Sequence, residues 1–167
     1  MNDIKPLNDL NDHHRAILVK SPMSLRDVVG KTVFLAGTID DGKSLDWQAF
    51  LVSQLDDLDV VILNPRREVW DSSYGFDTAY FKAQVDWEVE ALEKANYIFM
   101  YFAPNSYAPI SLLELGLYAK SGKLIVVCSE GYWKKGNVDI VAKKFAIPLF
   151  DDISIGIRHL RSLIYKV

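Results

Sequence analysis

Five short apolar runs, each separated from the next by a polar or helically patterned segment, constrain this chain more than any other feature. They occupy residues 33–36, 60–63, 97–102, 124–128 and, more weakly, 147–150. They are rich in Val, Ile and aromatic residues and do not alternate with polar ones, so each predicts a strand buried on both faces. Residues 45–58 place Trp47, Phe50, Leu51, Leu55 and Leu58 at three- and four-residue spacings, and 78–95 do so with Phe81, Val85, Leu92 and Ala95. Further helices are predicted over 111–121, closed by Gly122 at the C′ position, and over 137–145 and 155–165. Strand–helix alternation of this kind predicts a flavodoxin-like α/β fold, a doubly wound five-stranded parallel sheet with helices on both faces. Ligands of such folds bind beyond the carboxyl ends of the strands, which directs attention to 37–44, 64–77, 103–114 and 129–137. Residues 1–30 are polar and then run AILVKSP; they are expected to form an N-terminal arm or an added edge element beside a main domain of 31–167.

The 167 residues fit one domain with a self-sufficient core. A net charge of −3 argues against a nucleic-acid partner, because the densest basic stretches, Lys134-Lys135 and Lys143-Lys144, are only pairs. The single cysteine, Cys128, excludes a disulfide within the chain and reads as a small buried hydrophobe. His13, His14 and His159 have no metal-ligand spacing, so neither a metal nor a cofactor is expected. The first residues lack an apolar export core and no run approaches a membrane span, which predicts a cytoplasmic protein.

GTIDDGKS, residues 37–44, has the spacing of a nucleotide-binding P-loop. A phosphate cradle needs bare backbone amides, yet Asp40 and Asp41 lie inside this one. A carboxylate about 4 Å from a phosphate oxygen costs around 4 kcal/mol at an effective dielectric near 20. No later strand ends in an Asp that would hold Mg²⁺. The stretch is therefore read as a strand–loop–helix junction in which Ser44 caps the following helix and Asp46 sits in its first turn.

Acids and aromatics gather in the other segments. Pro109 precedes a helix start, so Glu114 is expected in or near the first turn, either as the acid of a Ser111-x-x-Glu114 capping box or as an ionised nucleophile in the crevice. After the second strand come Asn64, Arg66, Arg67, Trp70 and Asp71. Trp70 and Tyr74 either stack on a flat ligand or pack beneath a long loop. Asp77 reads best as a helix cap and Asp86 as part of a solvated face, whereas Glu88, followed by Val89 and Leu92, is a candidate for an inward-facing acid. Several carboxylates with aromatics, and no His, Cys or metal set, point to glycosyl chemistry.

The segments VFLAGTI, LNPRREVWD, QVDWEVEAL, APISLLELGLYAKSGK and GYWKKGNVDIV resemble the nucleoside 2-deoxyribosyltransferase superfamily over about residues 31–150. The most specific piece is ELG followed by YA and SGK. The resemblance implies exchange of nucleobases on 2-deoxyribose through a covalent intermediate, with deoxyribonucleosides and free nucleobases as substrates, and the Trp70/Tyr74 surface favours purines. It assigns Glu114 as nucleophile, Asp71 as the acid that protonates the departing base with Asp77 in reserve, and Glu88 to the lining of the pocket. The AGTI loop matches the sugar-side loop, which makes Gly37 and Thr38 substrate contacts; Asn64, Trp70, Asp77, Asp86 and Ser111 complete the candidate set. Asn137 resembles an Asn that a neighbouring subunit lends to the sugar hydroxyls, implying a homo-oligomer with shared sites. Two other functions fit the same residues: hydrolysis of nucleoside 5′-monophosphates, with Ser106, Ser111 and Arg66-Arg67 near a phosphate, or nucleotide binding without turnover.

Overall fold

The computed structural model describes residues 16–67 and 78–165. Its sheet contains β1 (Ile17–Lys20), β2 (Thr32–Gly37), β3 (Val61–Asn64), β4 (Tyr97–Phe102), β5 (Leu124–Cys128) and β6 (Leu149–Phe150). The helices are α1 (Trp47–Leu55), α2 (Ala79–Lys94), α3 (Pro109–Tyr118), α4 (Lys135–Lys144) and α5 (Ile153–Tyr165). All neighbouring strands are parallel, in the order β1-β3-β2-β4-β5-β6. Without β1 this is the 2-1-3-4-5 order of flavodoxin-like sheets, with the switch point between β2 and β4. Six strands replace the expected five because Ile17–Lys20, within the polar N-terminal stretch, adds itself to the edge of β3. The run Ala16–Val19 is as long as the apolar runs at 33–36 and 60–63, but it lies outside the 31–167 stretch from which the five strands are counted.

The continuous apolar runs are buried on both faces, as their lack of alternation requires. On one face β2, β4 and β5 present Phe34, Ala36, Ile98, Met100 and Val126 to Trp87 and Ala91 of α2, Leu115 of α3 and Val138 of α4. On the other, Val33, Leu35, Phe99, Ile125 and Val127 meet Leu51 and Leu55 of α1 and Ile157 and Leu160 of α5. Leu25 anchors the N-terminal segment in the first of these cores, and Cys128 is fully buried there at the end of β5.

Helix starts depart from the sequence reading in an instructive way. Asp46, not Ser44, caps α1, its carboxylate accepting from the Ala49 amide at 3.0 Å. Thr78 caps α2 by accepting from the Phe81 amide at 3.2 Å; Asp77 lies outside the described residues. Helix α3 begins at Pro109 after Ala108 in a left-handed conformation, with no side-chain cap. Ser111-x-x-Glu114 is thus not a capping box, and Glu114 is the sixth residue of the helix. Gly122 has a φ of 74°, but α3 ends at Tyr118, which puts the glycine in the following turn rather than at C′.

Candidate active site

The carboxyl ends of β2 and β4 flank the switch point, and the loop after β2 has every reason to be tightly held. Thr38 is fully buried. Its amide donates to the Tyr101 carbonyl at 2.9 Å, its hydroxyl accepts from the Ala103 amide at 3.0 Å, and that hydroxyl lies 2.8 Å from the Ser106 hydroxyl. Its carbonyl accepts from the Trp47 indole at 2.8 Å. Thr38 therefore ties the two loops of the switch point together from behind, rather than facing the crevice. Gly37 is likewise explained by the sheet, since its φ is 133° and a Cβ there would overlap the backbone of Tyr101. The expectation that Gly37 clears space for a ligand is replaced by close contact with the neighbouring strand.

The resemblance of 37–44 to a phosphate cradle ends at its hydrogen bonds. The amides of Gly42 and Ser44 donate to the Ile39 carbonyl, and that of Lys43 to the Asp40 carbonyl, around a 3-10 turn at Asp40–Gly42. The loop turns carbonyls, not amides, toward its neighbour. Arg66 donates to the carbonyls of Gly42 (3.1 Å) and Ser44 (2.9 Å) and to the Ser44 hydroxyl (3.1 Å) and Gln48 (3.3 Å). With Asp46 3.8 Å from its Nε and a side chain only 12% exposed, Arg66 is engaged by the protein. No local pattern announces this clamp, because partners at separations of 18 to 24 residues obey no local period.

The acids that the fold brings together are Glu114 of α3 and Glu88 of α2. Glu114 is 8% exposed, on the inward side of α3 with Ser111 and Leu115. Burial first, and then the charge of Glu88, push its carboxyl from 4.5 up to about 8. Lying about 7–8 Å along the helix from Pro109, it is past the turn in which the helix dipole acts. The ionised state expected from a first-turn position is thereby corrected: this carboxyl holds its proton at neutral pH in the free site. Glu88 is also raised, by burial, against which the hydrogen bond from Gln84 and the charge of Arg67 act. Two carboxyls that each resist ionisation, with the charge of Glu88 raising Glu114, can hold a single proton on one acid while the other is ionised.

Gln84, one turn before Glu88, is buried and is the residue the sequence reading missed. The apolar stripe Phe81–Val85 suggested a different inward face, yet Phe81, Val85 and Val89 are exposed while Gln84, Trp87 and Ala91 are buried. The spacing Gln84, Trp87, Ala91 would have located that face. A polar side chain in its first position obscured it.

Of the remaining candidates, Asn64 is buried at the end of β3, its side-chain oxygen accepting from the Arg66 amide at 2.9 Å. Ser111 is buried in the first turn of α3. Asp86 sits two residues from Glu88, about 200° around the helix, with its side chain 63% exposed and paired with Lys82. It is not brought to Glu114. Asn137 is exposed near the start of α4 and does not join the pair within one chain. Asp71, Trp70, Tyr74 and Asp77 lie outside the described residues. Among the described residues no cluster of three or more His, Cys, Asp and Glu side chains could hold a metal ion, and no helix is long and apolar enough to cross a membrane.

A family model described as nucleoside 2-deoxyribosyltransferase like matches residues 30–132, which include both acids. Among solved structures, the chain is similar to a crystal structure of a conserved protein from Enterococcus faecalis V583, with 17% identity and a TM-score of 0.44. That match covers 81% of this chain and 89% of the other. No curated protein matches.

Proposed function

The chain belongs to the nucleoside 2-deoxyribosyltransferase-like family, and from that premise we propose that it transfers 2-deoxyribose between nucleobases, with Glu114 as the nucleophile. The observation that carries this reading is the buried Glu114 carboxyl with the half-buried Glu88 close enough for its charge to act on it, both within the family-matched stretch. When the shared proton resides on Glu88, Glu114 is ionised and attacks the anomeric carbon. The C1′–N bond breaks, its electron pair leaves with the base, and Asp71, in the role the resemblance gives it, protonates a ring nitrogen. The product of this half-reaction is a deoxyribosyl ester of Glu114. An incoming base then attacks the anomeric carbon, breaks the ester C–O bond and returns a proton to the acid, so that two inversions give net retention.

Hydrolysis of a nucleoside 5′-monophosphate draws less support. Arg66 is engaged with the 42–48 region and Ser106 donates to the Ala103 carbonyl at 2.8 Å, so neither stands ready for a phosphate. The exposed Val85 and Val89 of α2 and Ile110, Leu113 and Leu117 of α3 support a homo-oligomer, in which Asn137 would reach a neighbouring site. The test is incubation with deoxyinosine and adenine followed by chromatography. Appearance of deoxyadenosine is expected; free deoxyribose and hypoxanthine alone would replace transfer by hydrolysis, and no turnover would leave a binding module.

A further inference from the structure

The nitrogen and oxygen of the Gln84 amide are assigned by their surroundings. Its oxygen accepts from the Ser21 hydroxyl at 2.7 Å and from the Arg67 Nε. Its nitrogen donates to the Pro65 carbonyl at 3.0 Å and to Glu88 Oε1 at 2.7 Å. Turning the amide over would set its N–H groups against the Arg67 donor and its oxygen against a carbonyl and a carboxylate. The amide is therefore locked, and with it the side of Glu88 that it contacts. Ser21 lies just beyond β1 and outside residues 30–132, the stretch that matches the family. The same N-terminal segment is fixed to α2 a second time, by the Trp87 indole donating to the Met23 carbonyl at 2.7 Å.

We propose that Gln84, locked by Ser21 and Arg67, is a positioning residue that orients the carboxyl group of Glu88, and that the added edge element thereby reaches the active site. The proposal rests on the reading of Glu88 and Glu114 as the reacting pair, which it deepens. Among the described residues, the groups facing Glu88 are Gln84 on its own helix, Arg67 from the loop after β3, and Glu114 from α3. Of these, Gln84 donates a hydrogen bond to it, through an N–H that favours the ionised form.

The experiment follows the Glu88 side-chain carboxyl by carbon NMR against pH in the full chain, with Glu88→Gln used to assign the resonance. In Gln84→Met the titration midpoint of Glu88 should move to higher pH, because the donor to its charged form is gone. In Ser21→Ala it should move the same way by less, since Arg67 still holds the amide. The acid limb of the kcat/KM profile for base exchange should move alkaline in the same order. A midpoint unchanged in both variants, or lowered, overturns the proposal. Because the NMR titration requires no turnover, absence of base exchange with a shifted midpoint would sink the transferase reading and leave the positioning role standing. Should Gln84→Met fail to fold, Ser21→Ala alone decides the matter through the same midpoint.

Discussion

The loop 37–44 and the Glu88–Glu114 pair lie on the same side of the molecule's chemistry and are built on opposite plans. In the loop, the described hydrogen bonds turn inward to the protein: Thr38 joins two strands' ends, Arg66 gathers the carbonyls, and the amides of Gly42, Lys43 and Ser44 close a 3-10 turn. In the pair, a buried acid and a half-buried one lie within reach of each other's charge, and burial raises both. The first arrangement favours stability and spends its amides and the Arg66 guanidinium within the protein. The second opposes stability, and such conflict between local preference and fold is where reactivity is found.

The largest effect expected from breaking this contrast is at Glu114. Glu114→Gln should reduce base exchange by at least about a thousandfold, measured by chromatography, since no carboxylate remains to form the ester. It should also stabilise the fold. The folded carboxyl keeps its proton to about pH 8 while the unfolded one loses it near 4.5, so the parent loses stability as pH rises between those values. The variant escapes that loss, and urea denaturation at pH 8 should find it more stable by on the order of a few kcal/mol. A variant that is less stable at pH 8 would contradict the account of the pair.

Next in size is Glu88→Gln, expected to slow exchange about a hundredfold. Removing the neighbouring charge should also bring the titration of Glu114 down from about 8. If that titration stays in place, the two acids do not share a proton.

How much of this was legible in the sequence follows from which forces act locally. Apolar runs announce buried parallel strands because both faces are covered, and β2 to β5 stood within a residue or so of their positions. Glu114 was recognisable within its motif, but its ionisation was not, because Pro109 and not Ser111 opens the helix and carries the acid beyond the dipole's reach. The Gln84 contacts and the Arg66 clamp escaped notice for a different reason. Their partners, Ser21, Pro65, Gly42 and Ser44, are distant in sequence, and a glutamine facing inward looks like a gap in an apolar stripe.

A smaller effect sharpens the other half of the contrast. Thr38→Val keeps the shape but leaves the half-buried Ala103 amide without its acceptor, at a cost of about 1–3 kcal/mol in chemical denaturation. The exchange KM should change little, because the hydroxyl is turned away from the crevice. A large rise in KM with stability unchanged would return Thr38 to the substrate-binding set.

The smallest expected effect lies far from both regions. Arg161 contacts both carboxylate oxygens of Asp57 at 2.7 Å, and this hydrogen bonding holds Asp57 down at about 2. A depressed acid contributes stability above its unfolded value of 3.8 and loses it as pH falls through 2. With Asp57 59% exposed, solvent screens the pair, so Asp57→Asn should cost under about 1 kcal/mol at neutral pH and nothing in exchange rate.

Cys128 has a practical consequence for all of these measurements. It is the only cysteine, fully enclosed at the end of β5, and burial pushes its thiol up to about 12, so almost no thiolate exists at neutral pH. A cysteine introduced at exposed Asp86 or Asn137 would then be the one reactive sulfur in the chain. Dyes or spin labels can be attached there by maleimide chemistry while the original cysteine stays in place.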